Sequence, residues 1–331
     1  MPEFRQNLVT GEWVILAQER AKRPHDHGAE RSRCPFCPGN EERTPDPVLV
    51  VDGDAVLGCD WAIRVVPNKF PALTPEGTPT EGHVGPYSTM TGVGAHDVVV
   101  ESPVHDDGLA TYAVEHLARV LGVWAERHNQ LFRDPRFKYV QILKNHGQGS
   151  GASLGHPHSQ IIAVPFVPAQ VDRELIRAEE YHRSRGTCML CDLIEHEMAD
   201  GNRIVYSNDA FIAVTPFASK MPFEMWILPM AHSRSFGQLD QGSALLLADA
   251  LRAIANGLRR GWGDPPFNLV VHTSAPADGP AACASYHWRI DIVPRLVSYG
   301  GFEMGTGVFI NAAIPEDAAR YLRALVSADA C

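Results

Sequence analysis

The 331-residue sequence lacks the features that would point to a membrane or a nucleic acid. No apolar run approaches the roughly 20 residues needed to cross a bilayer. The first residues, Met1-Pro2-Glu3-Phe4-Arg5, contain no apolar core of a signal peptide. Basic side chains number 29 against 39 acidic ones, and the net charge of −10 disfavours nonspecific binding to nucleic acid. We therefore expect a cytoplasmic protein without a membrane or nucleic-acid partner, in which an anionic substrate requires a local basic pocket.

Two Cys-x-x-Cys motifs, Cys34–Cys37 and Cys188–Cys191, account for four of the seven cysteines. In a cytoplasmic chain of this size, such cysteines are more typical of metal sites than of disulfides. A redox-active motif is the alternative for the first pair, but no strand-then-helix pattern of the thioredoxin type surrounds it. The other cysteines stand singly in the sequence and carry no prediction.

A glycine-rich loop that ends in His-x-His-x-Gln is the most distinctive stretch of the chain. It lies between predicted strands at 139–143 and 161–164. Four closely spaced glycines allow the backbone to approach a ligand and to expose N–H groups to an anion. In an extended segment, His156, His158 and Gln160 would share one face. This pattern favours a phosphate site beside a histidine nucleophile, although His-x-His alone is also typical of metal sites and of ordinary strands.

The two halves of the chain repeat the same order of potential metal ligands. Each half contains a Cys-x-x-Cys motif, then a histidine near a strand end, then a histidine after a loop. The sets are Cys34, Cys37, His105 and His156 in the first half and Cys188, Cys191, His232 and His287 in the second. Each set completes a tetrahedral structural zinc site with no open position for a catalytic water. His105 and His232 are individually typical of surface positions, but a matched duplication is difficult to produce by chance.

The repeat breaks at the candidate nucleophile. The first half reads His156-Pro157-His158, whereas the second reads His287-Trp288-Arg289. We therefore expect two halves, residues 1–170 and 171–331, of which only the first carries the nucleophile.

Two further stretches offer polar groups for a ligand. Arg20, Lys22 and Arg23 place three cations in four residues, which is typical of a solvated surface run but also suits a phosphate clamp. Asn68 follows a predicted strand, where its amide would either contact a ligand or close the turn.

Taken together, these motifs resemble the galactose-1-phosphate uridylyltransferases, a branch of the histidine-triad superfamily, and also the plant-type ADP-glucose phosphorylases. The resemblance covers almost the whole chain. The stretches that carry it, in family order, are Gly11-Glu12-Trp13-Val14, Arg20-Ala21-Lys22-Arg23-Pro24, Cys34-Pro35-Phe36-Cys37-Pro38-Gly39, Pro67-Asn68-Lys69-Phe70-Pro71, Glu101-Ser102-Pro103-Val104-His105, His156-Pro157-His158-Ser159-Gln160 and Gly301-Phe302-Glu303-Met304-Gly305-Thr306-Gly307.

The resemblance implies an α+β fold in which two histidine-triad-like half-domains form a continuous, largely antiparallel sheet flanked by helices, in a homodimer. It implies a ping-pong reaction with a nucleotide sugar and a hexose 1-phosphate as substrates. His158 would take UMP from UDP-glucose, release glucose 1-phosphate and pass the nucleotidyl group to galactose 1-phosphate, with its other ring nitrogen donating to a loop carbonyl. The implied substrate-binding residues are Arg20, Arg23, Asn68, Asn145, Gly151, Ser153, Gln160, Phe302 and Glu303.

Several departures leave the specificity open. Ala152-Ser153-Leu154 replaces a trio found before His-Pro-His in many bacterial members, and Asp291 and Val293 stand where some members have iron-binding histidines. The alternative enzyme is a nucleotide-sugar phosphorylase, in which inorganic phosphate is the acceptor. A zinc-ribbon module for nucleic acid or protein is disfavoured by the acidic charge. A simple histidine-triad hydrolase is disfavoured because those enzymes are short single units.

Overall fold

A computed structural model describes residues 2–22, 34–53, 59–274 and 284–327. Ten antiparallel strands form one sheet at its centre, as the resemblance predicted. In spatial order, the strands are β10 (Ile204–Ser207), β11 (Phe211–Val214), β12 (Met225–Pro229), β14 (Arg289–Pro294), β13 (Phe267–His272), β8 (Tyr139–His146), β9 (His158–Val164), β7 (Ala95–Val100), β4 (Trp61–Pro67) and β3 (Leu49–Asp52).

The sheet contains two copies of one strand arrangement. From the outer edge inward, the first half runs β3, β4, β7, β9, β8 and the second runs β10, β11, β12, β14, β13. The two copies join where β8 pairs with β13, with Asn145 opposite Asn268 and Leu143 opposite Val270. The duplication read from the ligand order is therefore also a duplication of the fold.

Six α-helices lie among the described residues, and three of them cover one face of the sheet. They are α1 (Val114–Phe132), α2 (Ala169–Arg185), α3 (Met189–Asp200), α4 (Gln241–Trp262), α5 (Gly301–Thr306) and α6 (Pro315–Val326). Apolar residues at helical spacing on α1, such as Leu117, Leu121 and Trp124, are fully buried. Together with apolar residues of α4 and α6, they pack against every second residue of the strands. No helix in these ranges is both long and apolar enough to cross a membrane.

The opposite face of the sheet carries the two Cys-x-x-Cys turns. Cys34, Phe36 and Cys37 pack against Val98 and Val100 of β7. In the second half, α3 begins between the two cysteines and packs with Cys188 against β11 and β12. Each half therefore has a helical layer on one face and a cysteine turn on the other.

A second sheet of four strands was not predicted. The sequence pattern of residues 5–16 predicts an opening strand pair around a turn at residues 10–12, and β1 (Glu3–Gln6) and β2 (Trp13–Leu16) form it. Strand β1 also pairs with β6 (Tyr87–Thr91), which pairs with β5 (Glu81–Val84). Phe4 and Met90 bury the inner face of this sheet. Its pairing joins segments that are far apart in sequence, and local patterns do not indicate such partners.

Three predicted boundaries are wrong. The helical spacing of apolar residues from Leu109 to Trp124 predicts a helix from 109, but α1 begins at Val114. Residues 108–111 form a turn that buries Leu109 without helical backbone. Strand β8 continues to His146, so Asn145 lies on the strand rather than in the loop. Strand β9 begins at His158, because that residue already pairs with Val100 of β7.

Candidate active site and metal centres

His158, at the start of β9, is buried and held in one tautomer. Its Nδ1 lies 2.8 Å from the carbonyl oxygen of His156. Because a carbonyl oxygen only accepts, Nδ1 carries the proton, and a neutral ring then has its lone pair on Nε2. This is the loop-carbonyl contact expected from the sequence. The arrangement gives the ring a nucleophilic nitrogen without a change in charge.

Gln160 lies two residues along β9, on the same face of the sheet as His158. Ser159 between them points to the helical layer, where its hydroxyl accepts the indole N–H of Trp124 at 2.7 Å. His156 lies on the side of the sheet that carries the first cysteine turn, where Phe36 contacts both His156 and His158. His156 precedes the strand and turns toward the first cysteine pair.

The four predicted ligands of the first half come together. Their donor atoms all lie within 4.8 Å of one another, and the Sγ of Cys37 is 3.2 Å from His105 Nδ1 and 3.6 Å from His156 Nδ1. A sulfur and a nitrogen atom bonded to one tetrahedral zinc ion would be separated by roughly 3.5 Å. His156 Nε2 donates to the carbonyl oxygen of Ser102 at 2.8 Å, which leaves the Nδ1 lone pair facing the other ligands. Burial lowers the pKa of His156 to about 4, so the ring is neutral.

The second half reproduces this arrangement with Cys188, Cys191, His232 and His287. The Sγ of Cys191 is 3.3 Å from His232 Nδ1 and 3.5 Å from His287 Nδ1. His287 Nε2 donates to the carbonyl oxygen of Pro229 at 2.9 Å, and burial lowers its pKa to about 4. Burial also raises the pKa of the Cys191 thiol to about 12, a shift that a bound cation would oppose. Both groups could hold a metal ion, and two thiols with two imidazoles suit zinc.

The first cysteine turn also contacts the candidate nucleophile. The amide of Cys37 bonds to the carbonyl oxygen of Cys34, which closes a tight turn around Phe36. The Phe36 ring centroid is 5.5 Å from that of His158 and 5.9 Å from that of His156. The turn that supplies two metal ligands therefore forms one wall of the nucleophile's pocket.

A buried ion pair supports His158 from the helical side of the sheet. Lys144 donates to Glu101 Oε2 at 2.7 Å and to the carbonyl oxygen of His158 at 3.2 Å. The two charged side chains are 1% and 0% exposed. Tyr112 donates a further hydrogen bond to the same carboxylate at 3.1 Å. These contacts fix the backbone at the first residue of β9.

Asn145 is held from the second half of the chain. The Asn268 amide donates to Asn145 Oδ1 at 2.8 Å and to the carbonyl oxygen of Ser150 at 3.0 Å. With its oxygen accepting, Asn145 presents its amide N–H groups on the face of the sheet that carries Gln160.

Backbone conformation and close packing explain two of the loop glycines. Gly147 has φ +73°, and a Cβ there would lie 3.0 Å from Pro266; Gly151 has φ +89°. Both are in the left-handed region that favours glycine. The amides of Ser150 and Gly151 close a turn within the loop, so these two N–H groups are not directed at an anion as expected. Ser153 follows at an intermediate level of exposure.

Arg20 and Asn68 converge on a histidine that the sequence analysis missed. Arg20 donates to the carbonyl oxygen of Phe70 at 2.9 Å and lies 3.4 Å from His96 Nδ1. Asn68 Nδ2 is 3.1 Å from His96 Nε2, and Gln160 Oε1 is 2.9 Å from the same nitrogen. His96 is 4% exposed, and it contacts three of the predicted substrate-binding side chains, Arg20, Asn68 and Gln160.

Among the described residues, the predicted substrate-binding residues Phe302 and Glu303 are not brought to His158 in this way. Arg23 lies outside the described residues. Phe302 and Glu303 lie on the short helix α5, where the phenyl ring is 53% exposed and the carboxylate caps the helix by accepting the Gly300 amide. Whether they contact a hexose stays a prediction.

His96 and Asn268 had no recognisable motif. Each is one of two polar residues in an otherwise apolar strand, a position that is usually structural. Only the alternation of side chains along a strand gave an indication of their position. Both strands bury an apolar face against the helices, so His96 and Asn268 are expected to point to the opposite face.

The second half has a charged cluster where the first half has its nucleophile. Arg289 ion-pairs with Asp291 at 2.8 Å and with Glu174 at 3.2 Å, and Asp291 lies 3.0 Å from His272 Nε2. These side chains line a cavity of about 510 Å³. Because Arg289 has no nucleophilic nitrogen at neutral pH, this half has no equivalent of His158.

Comparison with known proteins gives two family matches that together span nearly the whole chain. Residues 1–168 match the family described as "Galactose-1-phosphate uridyl transferase, N-terminal domain". Residues 174–327 match the family described as "Galactose-1-phosphate uridyl transferase, C-terminal domain".

Individual relatives are of two kinds. The chain is 37% identical to an ADP-glucose phosphorylase of Arabidopsis thaliana over 97% of this chain and 92% of that protein. It is 27% identical to a galactose-1-phosphate uridylyltransferase of Thermotoga maritima over 98% of both. A crystal structure of the Arabidopsis enzyme with bound ADP-glucose superposes with a TM-score of 0.78, at 35% identity over 98% of this chain and 99% of that chain.

Proposed function

Because the chain belongs to the galactose-1-phosphate uridyl transferase family, we propose that it moves UMP from UDP-glucose to galactose 1-phosphate through His158. The observation that carries this proposal is the 2.8 Å contact from His158 Nδ1 to the His156 carbonyl oxygen. That contact gives Nε2 the lone pair that a nucleophile requires. Gln160 lies beside it on the same face to meet phosphoryl oxygens.

The reaction balances in two displacements. The Nε2 lone pair attacks the α-phosphorus, a P–N bond forms, and the P–O bond to glucose 1-phosphate breaks with its electron pair on the leaving oxygen. A phosphate oxygen of the second substrate then attacks the same phosphorus, and the P–N bond breaks to restore neutral His158. The proton stays on Nδ1 and continues to donate to the His156 carbonyl oxygen, and this hydrogen bond stabilises the positive charge that the ring acquires during attack.

The remaining predicted residues bind rather than react. Gln160 and Asn145 offer neutral amide donors to phosphoryl oxygens, and Arg20 offers a charged one. Ser153 and Gly151 extend this set along the glycine-rich loop. Arg23 is assigned to the phosphates, and Phe302 and Glu303 are assigned to the hexose.

Zinc fits both Cys₂His₂ groups, and we assign it a structural role. Four protein ligands leave no position for water or substrate on the metal. When bound, it would fix the turn that contacts His158 through Phe36 and the matching turn of the second half.

A nucleotide-sugar phosphorylase is the second candidate, because the 37% identity to the Arabidopsis phosphorylase exceeds the 27% to the Thermotoga transferase. The same His158 chemistry serves both. The difference lies in the base bound and in whether a sugar phosphate or inorganic phosphate accepts the nucleotidyl group.

Labelling separates these reactions. The protein is incubated with UDP-glucose or ADP-glucose that carries ³²P at the α-position, and label retained on the denatured protein is measured. We expect retention from UDP-glucose and release as UDP-galactose on addition of galactose 1-phosphate. Retention only from ADP-glucose, with release by inorganic phosphate, would support the phosphorylase instead. No retention from either would refute transfer through a covalent intermediate.

We further propose that the halves are residues 1–170 and 171–331 and that the protein works as a cytoplasmic homodimer. Apolar side chains on and after α5, including Met304 at 80% and Ile310 at 70% exposed, offer a surface for a second copy. Sedimentation analysis at micromolar concentration tests this, and a monomer there would contradict it.

A further inference from the structure

We infer that His96 is a positioning residue that sets the orientation of the Gln160 amide toward the phosphoryl group. The inference rests on the proposed function, because it assigns Gln160 the role of a donor in nucleotidyl transfer. With this role for His96, β7 joins β8 and β9 as a strand whose residues determine the rate of the reaction.

The tautomer of His96 follows from the two groups beside its Nδ1, both of which can only donate hydrogen bonds. The backbone amide of Ala72 donates to His96 Nδ1 at 3.0 Å, and the Arg20 guanidinium lies 3.4 Å from the same nitrogen. Neither an amide N–H nor a guanidinium accepts a hydrogen bond. Nδ1 therefore holds a lone pair, and the proton of the neutral ring is on Nε2.

The orientation of Gln160 follows from this tautomer. His96 Nε2 lies 2.9 Å from Gln160 Oε1, so the Nε2–H donates to the amide oxygen. With its oxygen engaged, Gln160 turns its NH₂ group away from His96. The opposite amide orientation would set two N–H groups against each other in a buried position, which costs the energy of an unsatisfied donor.

The position of His96 on β7 places its contact with Gln160 on the face of the sheet that carries His158. His96 pairs with Ile162 of β9, which lies on the same face as Gln160 and His158. Gln160 and His158 are separated by roughly 6.6 Å along the strand, which is room for one phosphoryl group between the nucleophile and the amide donor. An amide that presented its oxygen there would repel the phosphoryl oxygens instead of stabilising them.

Asn68 lies beside the same ring nitrogen. Its Oδ1 accepts the Phe70 amide at 2.9 Å, and its Nδ2 is 3.1 Å from His96 Nε2. The two donors at Nδ1 and the shorter 2.9 Å contact from Nε2 to Gln160 Oε1 outweigh this contact and keep the proton on Nε2, so Asn68 Nδ2 does not donate to the ring.

Two substitutions distinguish the orientation of Gln160 by His96 from the support that His96 gives to the backbone at Ala72. In His96→Asn, the shorter amide keeps an acceptor near the Nδ1 position for Ala72 and loses the donor to Gln160. In His96→Gln, the longer amide places an N–H near the Nε2 position and loses the Ala72 acceptor. A role in positioning predicts that the first variant loses activity, whereas a role in folding alone predicts that the second is worse.

The rate of ³²P transfer from nucleotide sugar to protein, measured in single turnovers at saturating substrate, gives the result. We expect His96→Asn to lower this rate by roughly 10- to 100-fold and His96→Gln to lower it by less than about fivefold, with similar melting temperatures. Gln160→Ala should slow transfer by roughly 10²–10³-fold, the range for loss of one preorganised donor. In that background, His96→Asn should cost less than about threefold more, because it acts through Gln160.

Three outcomes would overturn the inference. One is a His96→Asn rate equal to that of the unmodified protein, and another is a loss that multiplies with that of Gln160→Ala. The third is a lower melting temperature for His96→Asn that accounts for its whole loss. Absence of label on the unmodified protein is a distinct outcome, since it refutes the proposed function and the inference with it.

Discussion

At the scale of single residues, the reactivity of His158 depends on one backbone carbonyl. The His156 oxygen holds the proton on Nδ1, and Lys144 and Phe36 hold the backbone and ring in place. No side-chain carboxylate contact to the ring is needed for this, since a neutral imidazole already has a lone pair.

His158→Ala should therefore abolish covalent nucleotidyl transfer without unfolding the protein. The ring lies against Phe36 and donates a hydrogen bond to the His156 carbonyl oxygen, and the backbone of this residue is held separately by its pairing with Val100 and by Lys144. The measurement is retention of ³²P label alongside the circular dichroism spectrum. His83→Ala, on the exposed strand β5, is a matched control and should keep full labelling. Labelling of His158→Ala within tenfold of the unmodified protein would contradict the assignment.

Residues that belong to a spaced motif were predictable, and residues that act singly were not. The eight cysteines and histidines of the two metal groups follow from ligand chemistry and repetition, and the structure brings them together. His96 and Asn268 contact predicted residues from other strands. Their partners are defined by sheet register, which a single sequence does not specify.

At the scale of elements, each cysteine turn packs on its strands through a small apolar cluster. The turn at residues 34–40 closes with backbone bonds of 3.2 and 3.3 Å and with the Asn40 amide, which donates to the Cys34 carbonyl oxygen at 2.9 Å. A metal ion held by Cys34 and Cys37 would add its binding free energy to the stability of this turn.

Cys34→Ser should lower the thermal stability and the zinc content more than the chemistry. We expect about one zinc ion per chain instead of two, and a lower melting temperature, because a serine hydroxyl is a poor ligand for this metal. Cys59→Ser is the matched control, since Cys59 lies outside both groups. Plasma emission spectrometry measures the metal, and an unchanged content of two in Cys34→Ser would refute the ligand assignment.

The ion pair beneath β8 and β9 gives a second test at this scale. Lys144→Met should destabilise the protein by about 3–5 kcal/mol, because it leaves the Glu101 carboxylate buried without its cation. Adding Glu101→Gln should recover at least about half of this loss, since the buried charge is then removed. Urea unfolding measures both differences. Equal stability of the single and double variants would show that the ion pair is not what Lys144 contributes.

At the scale of the whole molecule, charge in the second half should make stability depend on pH. Burial alone would lower the pKa of His272, but the nearby Asp291 and Glu174 carboxylates raise it overall despite Arg289. For Glu174, burial is outweighed by His272 and Arg289, which lower its pKa to about 2. The His272 contribution is complete below its unfolded pKa of about 6.5 and is lost as pH rises through the raised value.

His272→Gln should therefore cost more stability near pH 6 than at alkaline pH. The Glu174 contribution is complete above an unfolded pKa of about 4.3 and is lost only as pH falls toward 2, so it stays constant over this range. Melting temperatures of both proteins between pH 5.5 and 9 measure the difference. A gap that is constant or that widens with pH would contradict the raised pKa of His272.

The architecture was predictable to the extent that it is repeated. Alternating strands and the amphipathic α1 and α4 are visible in the sequence, and the resemblance orders them into one sheet. The four-stranded sheet was missed because β1 pairs with β6 across more than 80 residues. The exact ends of β8 and β9 were missed because the polar residues at 144–146 and 158–160 lack the β-branched and aromatic side chains typical of strands. Pairing with β13 and β7 overrides that local preference.

The pairing of β8 with β13 makes the two copies mutually dependent. If the chain were cut between α2 and the second copy, each fragment would leave a long interior strand with its backbone groups unpaired, an edge prone to aggregation. Fragments produced alone should be insoluble, whereas co-produced fragments should associate into a soluble complementing pair. Reconstitution from such fragments would show that each copy of the duplicated fold depends on the other for a soluble structure.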